Sequence, residues 1–381
     1  MKLRQFAGLA LLLMVIGVVA GYVLLKDNTG DAPKSATVVG IGGGKGPFLE
    51  DPALIKLLQE KYGLTIDFTR VPSIDQYARC TEGIDFCWPS SQTIGELLES
   101  KPGLNVLQSE VIFNSPIVMY SWTPIVDALV QQGIVEQRGD TYFIVDFARL
   151  LQMDTDGVLW KDLGLPTMNG GVQIRTSDPT ASNSGNSFVG LMANTLNGGR
   201  VADDVAIGPI LPQLVSWFNQ RGLMPDTTTE MWEQFFTLGM GASPIIAAYE
   251  SNLIEYCLQN ASEDSQKFIR DNVRTLYPSP TVWSSHPMLA LTEGGQRLIK
   301  ALRDPEVQRL GWEQHGFRTA VPGVANNPGV CNLPGVPATI ESVIPMPNPA
   351  VMTEIIEGLG GQLIAADRPR NSVVASSSPA P

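Results

Sequence analysis

Residues 36–68 decide the fold, and they read ATVVGIGGGKGPFLEDPALIKLLQEKYGLTIDF. The apolar start of this stretch predicts a strand, and a glycine-rich loop comes directly after it. Asp51 predicts the N-cap of a helix, with Pro52 at its first position and Gly63 as its stop. Residues 64–68 then alternate apolar and polar side chains and predict a second strand. A strand, a helix and a strand in this order predict a parallel β-α-β unit with a right-handed crossover.

Two later stretches repeat the order of strand, polar loop and helix. Residues 83–87 predict a short strand before the loop 88–92, and residues 172–174 predict another before the loop 178–187. In open α/β sheets the carboxyl ends of strands form the ligand crevice, and free N–H groups at helix N-termini bind anions or polar ligands there. The alternative is that each Ser or Asn only caps its own helix. The chain as a whole is predicted to be α/β.

The candidate ligand-binding residues lie in these three loops and beside the apolar run 245–248, which predicts one more strand. Tyr249 and Glu250 follow that run, so either one of them contacts ligand or Glu250 simply favours a helix start. The predicted ligand-binding residues are Gly44, Lys45, Ser90, Ser91, Gln92, Ser182, Asn183, Ser184, Gly185, Asn186, Ser243 and Tyr249.

Length, composition and charge narrow the classes of protein. The chain has 381 residues, which predicts two domains or one large two-lobed fold. Hydrophobic residues make up 44% and charged residues 17%, which excludes a globally disordered protein. A formal net charge of -12 argues against a binder of the nucleic-acid backbone, because such a protein needs a basic face. With 2 His and 4 Cys, the chain is neither a zinc-rich nor a disulfide-stapled scaffold.

The N-terminus predicts an exported protein. Residues 6–25 form an uncharged, mostly apolar run after the basic residues 1–5, and at about 1.5 Å per residue this run spans about 30 Å, the thickness of a bilayer core. We expect an uncleaved transmembrane anchor with residues 1–5 in the cytoplasm; the rival interpretation is a cleaved signal sequence. The body is then extracytoplasmic, either on a single-pass membrane protein or free in the periplasm or medium. Residues 26–35 predict a tether, and residues 367–381 predict a disordered tail.

Four sequence blocks carry a family resemblance. They are GKGPF at 44–48, WPSSQ at 88–92, TSDPTASNSGN at 176–186 and WEQHGFR at 312–318. Together they resemble the bacterial extracellular solute-binding proteins, the substrate-binding components of ABC transporters. More narrowly, they are similar to the type 2 periplasmic binding fold, near its sulfate-, molybdate- and phosphate-binding branch. The block at 178–185 is the most specific of the four.

The resemblance implies two α/β lobes, joined by crossover strands, that close over a ligand in the cleft between them. The expected parts are lobe 1 at residues 36–118, lobe 2 at residues 119–282 and the return of lobe 1 at residues 283–366. The crossings are expected near residues 117–120 and 277–286, and the final helices are expected to pack back on lobe 1. The Pro-rich stretch 321–349 departs from the family and is interpreted as an insertion.

The residues also argue against several kinds of chemistry. Gly44 and Lys45 are followed by Gly46, whereas a P-loop needs Ser or Thr at that position, and a dinucleotide fingerprint needs Gly where Lys45 stands. No Gly-x-Ser-x-Gly elbow surrounds the candidate serines, and His286 and His315 are too far apart for metal-ligand spacing. We therefore expect no cofactor, no metal and no enzymatic activity.

The cysteines predict at most a local disulfide. Cys80 and Cys87 are close in sequence, and an oxidising exterior permits a bridge between them. Four Cys allow three pairings, and the sequence alone does not choose among them. Cys80–Cys87 is favoured because its closed loop is short, while Cys257 and Cys331 are the candidates for buried thiols.

These features predict a non-enzymatic solute-binding protein that captures a small polar ligand by lobe closure and delivers it to an ABC-type importer. The resemblance favours an oxyanion as the ligand. Lys45 is the one cation in the three loops, so charge neutralisation would rest mainly on N–H groups and hydroxyls. The alternative is a membrane-tethered adaptor or sensor of a surface assembly that keeps the binding fold without transport. The expected partners are the ligand, an ABC permease and the membrane, and not nucleic acid.

Overall fold

The computed structural model describes residues 35–259 and 262–362. The strands are β1 Ala36–Gly42, β2 Leu64–Arg70, β3 Phe86–Trp88, β4 Gln108–Trp122, β5 Val135–Arg138, β6 Thr141–Ile144, β7 Ile174–Arg175, β8 Ile245–Tyr249, β9 Val273–Pro278, β10 Trp283–Ala290 and β11 Arg318–Thr319. The helices are α1 Gly46–Leu49, α2 Pro52–Leu57, α3 Gln76–Arg79, α4 Gln92–Glu99, α5 Thr123–Gln131, α6 Phe147–Thr155, α7 Asn183–Leu196, α8 Ile207–Asn219, α9 Thr228–Ala242, α10 Glu250–Gln259, α11 Glu263–Asn272, α12 Glu293–Leu302, α13 Pro305–His315 and α14 Pro349–Gly358. Helices and strands are mixed along the chain, so the α/β prediction is confirmed.

One long strand joins two halves of a single sheet. The sheet order is β2-β1-β3-β10-β4-β9-β6-β5, with β8 and β11 also paired to β4 and β7 paired to β8. β4 pairs with β10 as far as Pro116 and with β8 and β9 from Ile117 onward. We call β2, β1, β3, β10, β11 and the first part of β4 the first sheet half, and the remaining strands the second sheet half. The chain crosses between them along β4 and again between β9 and β10; the exact lobe boundaries stay predictions.

The first β-α-β unit has the parallel strands, the helix cap and the helix end that were predicted from its sequence. β1 and β2 pair in parallel, as predicted. Asp51 accepts a hydrogen bond from the backbone N–H of Ala53, with Pro52 at the first position of α2. α2 continues as a π-helical turn over Leu58–Tyr62, which Gly63 ends with a φ of 63°. Such a left-handed φ is open to glycine without strain.

Caps later in the chain also follow the sequence, with one shift. Ser91 accepts from the backbone N–H of Ile94 at the start of α4, and Thr292 accepts from Gly295 at the start of α12. α7 already begins at Asn183, ahead of the apolar period that predicted its start. Part of the predicted loop 178–187 is therefore the first turn of a helix.

A cluster of four aromatic side chains packs in the core of the first sheet half. Phe48, Trp88, Phe113 and Phe317 are buried, and neighbouring ring centroids lie 5.1 to 6.2 Å apart. Aromatic pairs in such edge-to-face and offset arrangements add to the stability gained from burial. The cluster anchors the loop after β1 and the end of β3, which carry two of the three candidate loops.

The C-terminal part of the described chain lies across both sheet halves. Residues 321–349 pass the second crossing, where the N–H of Ile344 donates to the carbonyl of Thr281 at 2.8 Å. α14 then packs against α4 of the first half and α8 of the second half, with Val351 and Ile355 buried. The last helix therefore contacts both halves, rather than returning to lobe 1 alone.

The predicted anchor and tail cannot be placed. Three predicted segments lie outside the described residues: the apolar run 6–25, residues 26–34 of the tether 26–35, and the tail 367–381. Within residues 35–259 and 262–362, every helix is too short or too polar to cross a bilayer.

Candidate functional site

The glycine-rich loop after β1 turns its lysine inward. Gly44 is exposed with a φ of 66°, whereas Lys45 is completely buried. Lys45 Nζ donates to the carbonyl oxygen of Gly43 at 2.9 Å and to Ser90 Oγ at 2.5 Å. It also donates to the carbonyl oxygen of Trp88 at 3.4 Å and lies 5.0 Å from the centre of that ring. Lys45, one of the predicted ligand-binding residues, thus points into the protein and contacts Ser90.

The surroundings of Lys45 carry no compensating negative charge. Its hydrogen-bond acceptors are all neutral, and no carboxylate among residues 35–259 and 262–362 forms an ion pair with it. Burial lowers the pKa of Lys45 well below its usual value. His286 is also buried, and burial followed by the charge of Lys45 lowers the pKa of His286. Neither ring nitrogen of His286 has a hydrogen-bond partner among the described residues. Because the charge of Lys45 acts on its pKa, His286 is a second buried base near Lys45.

Ser90 links the buried lysine to the boundary between the sheet halves. Its Oγ donates to the carbonyl of Gly43 at 2.7 Å, and its N–H donates to Ser73 Oγ at 2.8 Å. Its carbonyl oxygen accepts from Ser284 Oγ at 2.6 Å and from Asn183 Nδ2. Asn183 begins α7 in the second half, so the two halves meet at this carbonyl.

Asn183 is the central polar residue of that meeting point. Besides Ser90, its Nδ2 lies 2.7 Å from the Tyr249 hydroxyl and 3.4 Å from Ser284 Oγ. The Tyr249 hydroxyl also lies 3.4 Å from Ser187 Oγ. Asn183 Oδ1 is buried without a partner, and a side-chain amide has only two N–H groups for three acceptors. The cluster therefore has unused hydrogen-bonding capacity, which a polar ligand between the halves can fill.

The hydroxyls of Ser182 and Ser184 bond to other hydroxyls and not to this cluster. The Oγ atoms of Ser177, Ser182 and Ser184 lie 2.9 to 3.0 Å apart. Ser184 Oγ also lies 2.7 Å from Thr228 Oγ1. These bonds tie the loop before α7 to the start of α9. Both serines are predicted ligand-binding residues, and in the structure their hydroxyls contact other hydroxyls of this loop and of α9.

Gly185 and Asn186 lie in the buried first turn of α7. A Cβ on Gly185 would lie 2.3 Å from the carbonyl oxygen of Ser177 and 2.9 Å from the nitrogen of Pro179. Glycine therefore allows the first turn of α7 to pack against the backbone of residues 177–179. The sequence-based interpretation was close approach of a ligand. Asn186 is buried, and its Nδ2 has no partner among the described residues.

Three further predicted residues lie outside the cluster. Ser91 Oγ caps α4 at 3.3 Å from the N–H of Ile94, and Gln92 is exposed and donates to Glu96 at 2.9 Å. Ser243 precedes β8, whereas Tyr249 ends it. At about 3.3 Å per residue the extended chain separates the two by roughly 20 Å. The structure therefore does not bring Ser243 to the site.

A cavity of about 540 Å³ lies between α4, β10 and residues 343–348. Trp283 and Ser285, which flank Ser284 on β10, form one wall. Glu96 and Asp203 also line the cavity, so this cavity has acidic side chains whereas the surroundings of Lys45 have basic ones. The other walls are the first turn of α4, residues 201–203 and residues 343–348. The described residues group no three His, Cys, Asp or Glu side chains that could hold a metal ion.

A buried ion pair between Arg318 and Glu250 lies next to Tyr249, and sequence reasoning did not predict it. Arg318 Nε lies 2.5 Å from Glu250 Oε2, and Arg318 Nη2 lies 2.7 Å from Glu250 Oε1. The Tyr277 hydroxyl donates to the same carboxylate at 2.6 Å, and the Tyr120 hydroxyl donates to the Tyr249 carbonyl at 2.8 Å. Glu250 thus starts α10 but points into the core. Burial raises the pKa of Tyr249 to about 12, so its hydroxyl stays protonated and can donate.

Cys80 and Cys87 form a disulfide with a Cα–Cα distance of 6.0 Å. It joins the end of α3 to β3, directly before Trp88, and so braces the loop that carries Ser90. Cys257 is buried, and the side chain of Cys331 is not among those that the structure describes.

The site as a whole contains predicted and unpredicted residues. Of the predicted set, the structure brings together the loop of Gly44 and Lys45 with Ser90, Asn183 and Tyr249. The residues that sequence reasoning missed are Ser284, His286 and Arg318. The first two stand on β10, in the segment WSSHPM at 283–288, where every residue except Trp283 is buried.

Solved structures match the chain, although no protein-family model and no curated protein sequence does. The iron-bound protein HitA from Pseudomonas aeruginosa gives a TM-score of 0.57 at 12% identity, over 85% of this chain and 97% of that chain. The substrate-binding protein of an ABC transporter from Agrobacterium tumefaciens gives 0.54 at 15% identity, over 87% and 96%. The sulfate-binding protein SubI from Mycobacterium tuberculosis gives 0.50 at 16% identity, over 86% and 96%.

These likenesses define the fold. The chain has the type 2 periplasmic binding-protein fold that substrate-binding proteins of ABC transporters share, and the fold predicted from the four sequence blocks is confirmed. Of these three structures, two are described as substrate-binding or sulfate-binding proteins, and the third is iron-bound. At these identities the likeness concerns the fold, and the ligand has to be argued from the residues of this chain.

Proposed function

We propose that this protein is an extracytoplasmic, non-enzymatic solute-binding protein that captures a small anion between its two sheet halves and delivers it to an ABC-type importer. The fold supports the solute-binding part, because its solved neighbours include the binding protein of an ABC transporter and a sulfate-binding protein. The predicted N-terminal anchor or signal sequence supports export.

One observation carries the choice of an anion: Lys45 is fully buried beside Ser90, and no carboxylate of the described residues bonds to it. A negative charge about 6 Å from Nζ, with Ser90 in between, gains about 3 kcal/mol at an effective dielectric constant of about 20. Ser90, Asn183, Tyr249 and Ser284 supply neutral donors at the boundary, where N–H and O–H groups can hold oxyanion oxygens.

Capture requires the two halves to move apart and close again. β4 and the link between β9 and β10 are the two connections along which the halves can rotate. Closure brings Asn183 onto Ser90, so ligand contacts from both halves exist together only in the closed form. The contact between Asn183 and Ser90 supports closure over a ligand at this boundary.

Isothermal titration of the full chain with sulfate, phosphate, molybdate and neutral amino acids tests the proposal. Asn183→Ala should weaken anion binding at least about tenfold, because its loss leaves polar partners at the boundary unpaired. Asn197→Ala is the matched control: Asn197 caps the other end of α7 and bonds to the carbonyls of Arg200 and Val201. Absence of binding to every anion, or an equal loss in both variants, would overturn the anion site.

A second candidate is a tethered adaptor or sensor that keeps the fold without transport. The observation that favours it is α14, whose buried side chains contact α4 and α8 and so join the two sheet halves. Small-angle scattering with and without anion separates the candidates. A transport protein should become more compact on binding, whereas a static adaptor should not change. Permease and ATPase genes next to its own would also favour import.

A further inference from the structure

The hydrogen bonds around Lys45 suit an ammonium group, yet nothing nearby balances its charge. An ammonium has three N–H donors, and Nζ has three acceptors: the carbonyls of Gly43 and Trp88 and the Oγ of Ser90. The Ser90 hydroxyl donates its own hydrogen bond to the Gly43 carbonyl oxygen at 2.7 Å, so the lone pairs of Oγ remain available to accept from Nζ. The cradle is thus complete for the protonated form, while full burial opposes that form.

The charged groups on neighbouring elements do not supply the missing negative charge. On β2, the Arg70 guanidinium lies against Gly46, which is the next residue after Lys45. On β10, His286 is a second base, and its pKa is lowered in part by Lys45. On α13, His315 contacts Asp51 at 3.0 Å and Glu255 at 3.9 Å, so the carboxylates of α10 and the α2 cap already have a basic partner. The three loops themselves contribute no acid that bonds to Nζ.

We propose that the site takes up one proton when an anion binds, and that Lys45 Nζ receives it. This inference rests on the proposed function. In the empty protein Nζ is a neutral amine; when an anion lies beyond Ser90, its charge offsets the burial of the ammonium. The proton comes from solvent and occupies the Nζ lone pair, and the third N–H completes the cradle. Lys45 then acts through Ser90 as a positioning residue that makes affinity depend on ligand charge and on pH.

The sign of the pH dependence follows from linkage. Between the pKa of Lys45 in the empty protein and its higher value in the complex, binding consumes one proton. Across that range the association constant falls about tenfold for each unit that the pH rises. Burial places the lower end of this range well below the usual pKa of a lysine.

Sulfate is the probe, because its charge does not change across this pH range. Titration calorimetry of the full chain at one pH, in buffers of different ionisation enthalpy, counts the protons taken up. We expect about one proton per sulfate, and an association constant that falls about tenfold per pH unit. Lys45→Arg removes the titration but keeps a positive charge, so proton uptake should vanish in that variant. His286→Gln should leave the uptake at about one proton.

A second measurement needs no variant protein, and its first half needs no ligand. NMR of the full chain with labelled lysine side chains should show one lysine that loses its proton far below the others, and sulfate should restore that proton. Sulfate binding with no proton uptake, or uptake lost in His286→Gln and kept in Lys45→Arg, would overturn the inference while leaving the anion site intact. If sulfate does not bind, the proposed anion site is wrong. The NMR titration without ligand still shows whether Lys45 is neutral.

Discussion

Gly185→Ala tests whether backbone packing or ligand access explains the glycine in the first turn of α7. The new Cβ would lie 2.3 Å from the carbonyl oxygen of Ser177 and 2.9 Å from the nitrogen of Pro179. Both are backbone atoms, and the bonded hydroxyls of Ser177, Ser182 and Ser184 hold that backbone in place. Overpacking of this kind costs about 1–3 kcal/mol, and the loss of glycine's unfolded-state freedom offsets about 0.4–1 kcal/mol. We expect the free energy of unfolding to fall by about 1–2 kcal/mol.

Gly208→Ala is the matched control on α8. Gly208 is exposed, and a Cβ there meets no atom within 4 Å. This variant should gain about 0.4–1 kcal/mol, so urea unfolding should separate the two variants by about 2 kcal/mol at an unchanged m-value. Equal stability of the two variants would refute the packing argument. If Gly185→Ala keeps wild-type stability while sulfate affinity falls tenfold, the glycine is there for the ligand after all.

Three other changes probe the elements around the site. Arg318→Met should cost about 3–5 kcal/mol in urea unfolding because it strands the buried Glu250 charge, and adding Glu250→Gln should recover part of that loss; a cost below about 1 kcal/mol would contradict the ion pair. Burial lowers the pKa of His315, but its two carboxylate neighbours outweigh burial and raise it. The stability of the wild type over His315→Gln should therefore be complete below about pH 6.5 and shrink as the pH rises through the raised value, which thermal unfolding at pH 5.5 and 8.5 can show; a gap that widens with pH would count against this assignment. Replacing Cys80 and Cys87 by Ala should cost about 2.5 kcal/mol, from the chain entropy of so short a closed loop, and unchanged urea unfolding would argue that the bridge is dispensable.

Features that depend on local sequence could be predicted. The first β-α-β unit follows from the alternation of residues 64–68, the Asp51 cap and the Gly63 stop, all within one stretch of chain. Ser91 and Thr292 cap their helices as their positions indicate. Capping and periodicity act over a few residues, so distant parts of the chain do not alter them.

The direction of loop side chains could not be predicted in the same way. Lys45 turns inward because Trp88, at the end of β3, and Ser90, in the loop after it, provide acceptors for Nζ. Ser284 and His286 reach the site because β10 pairs with β3 and β4, and that pairing spans most of the chain. A single sequence contains no local signal for such contacts, so the site could be located by its loops but not resolved into roles.

The place of β10 in the sheet has a consequence for how the chain is made. β10 fills the gap between β3 and β4, yet Trp283 follows Trp88 by 195 positions. A ribosome that adds about 5–20 residues per second needs about 10–40 seconds to supply it. During that time the facing edges of β3 and β4 have no partner, and unpaired edges invite association with other chains. The nascent chain should therefore need a holding chaperone until residue 290 has emerged, and only then can β10 pair with β3 and β4.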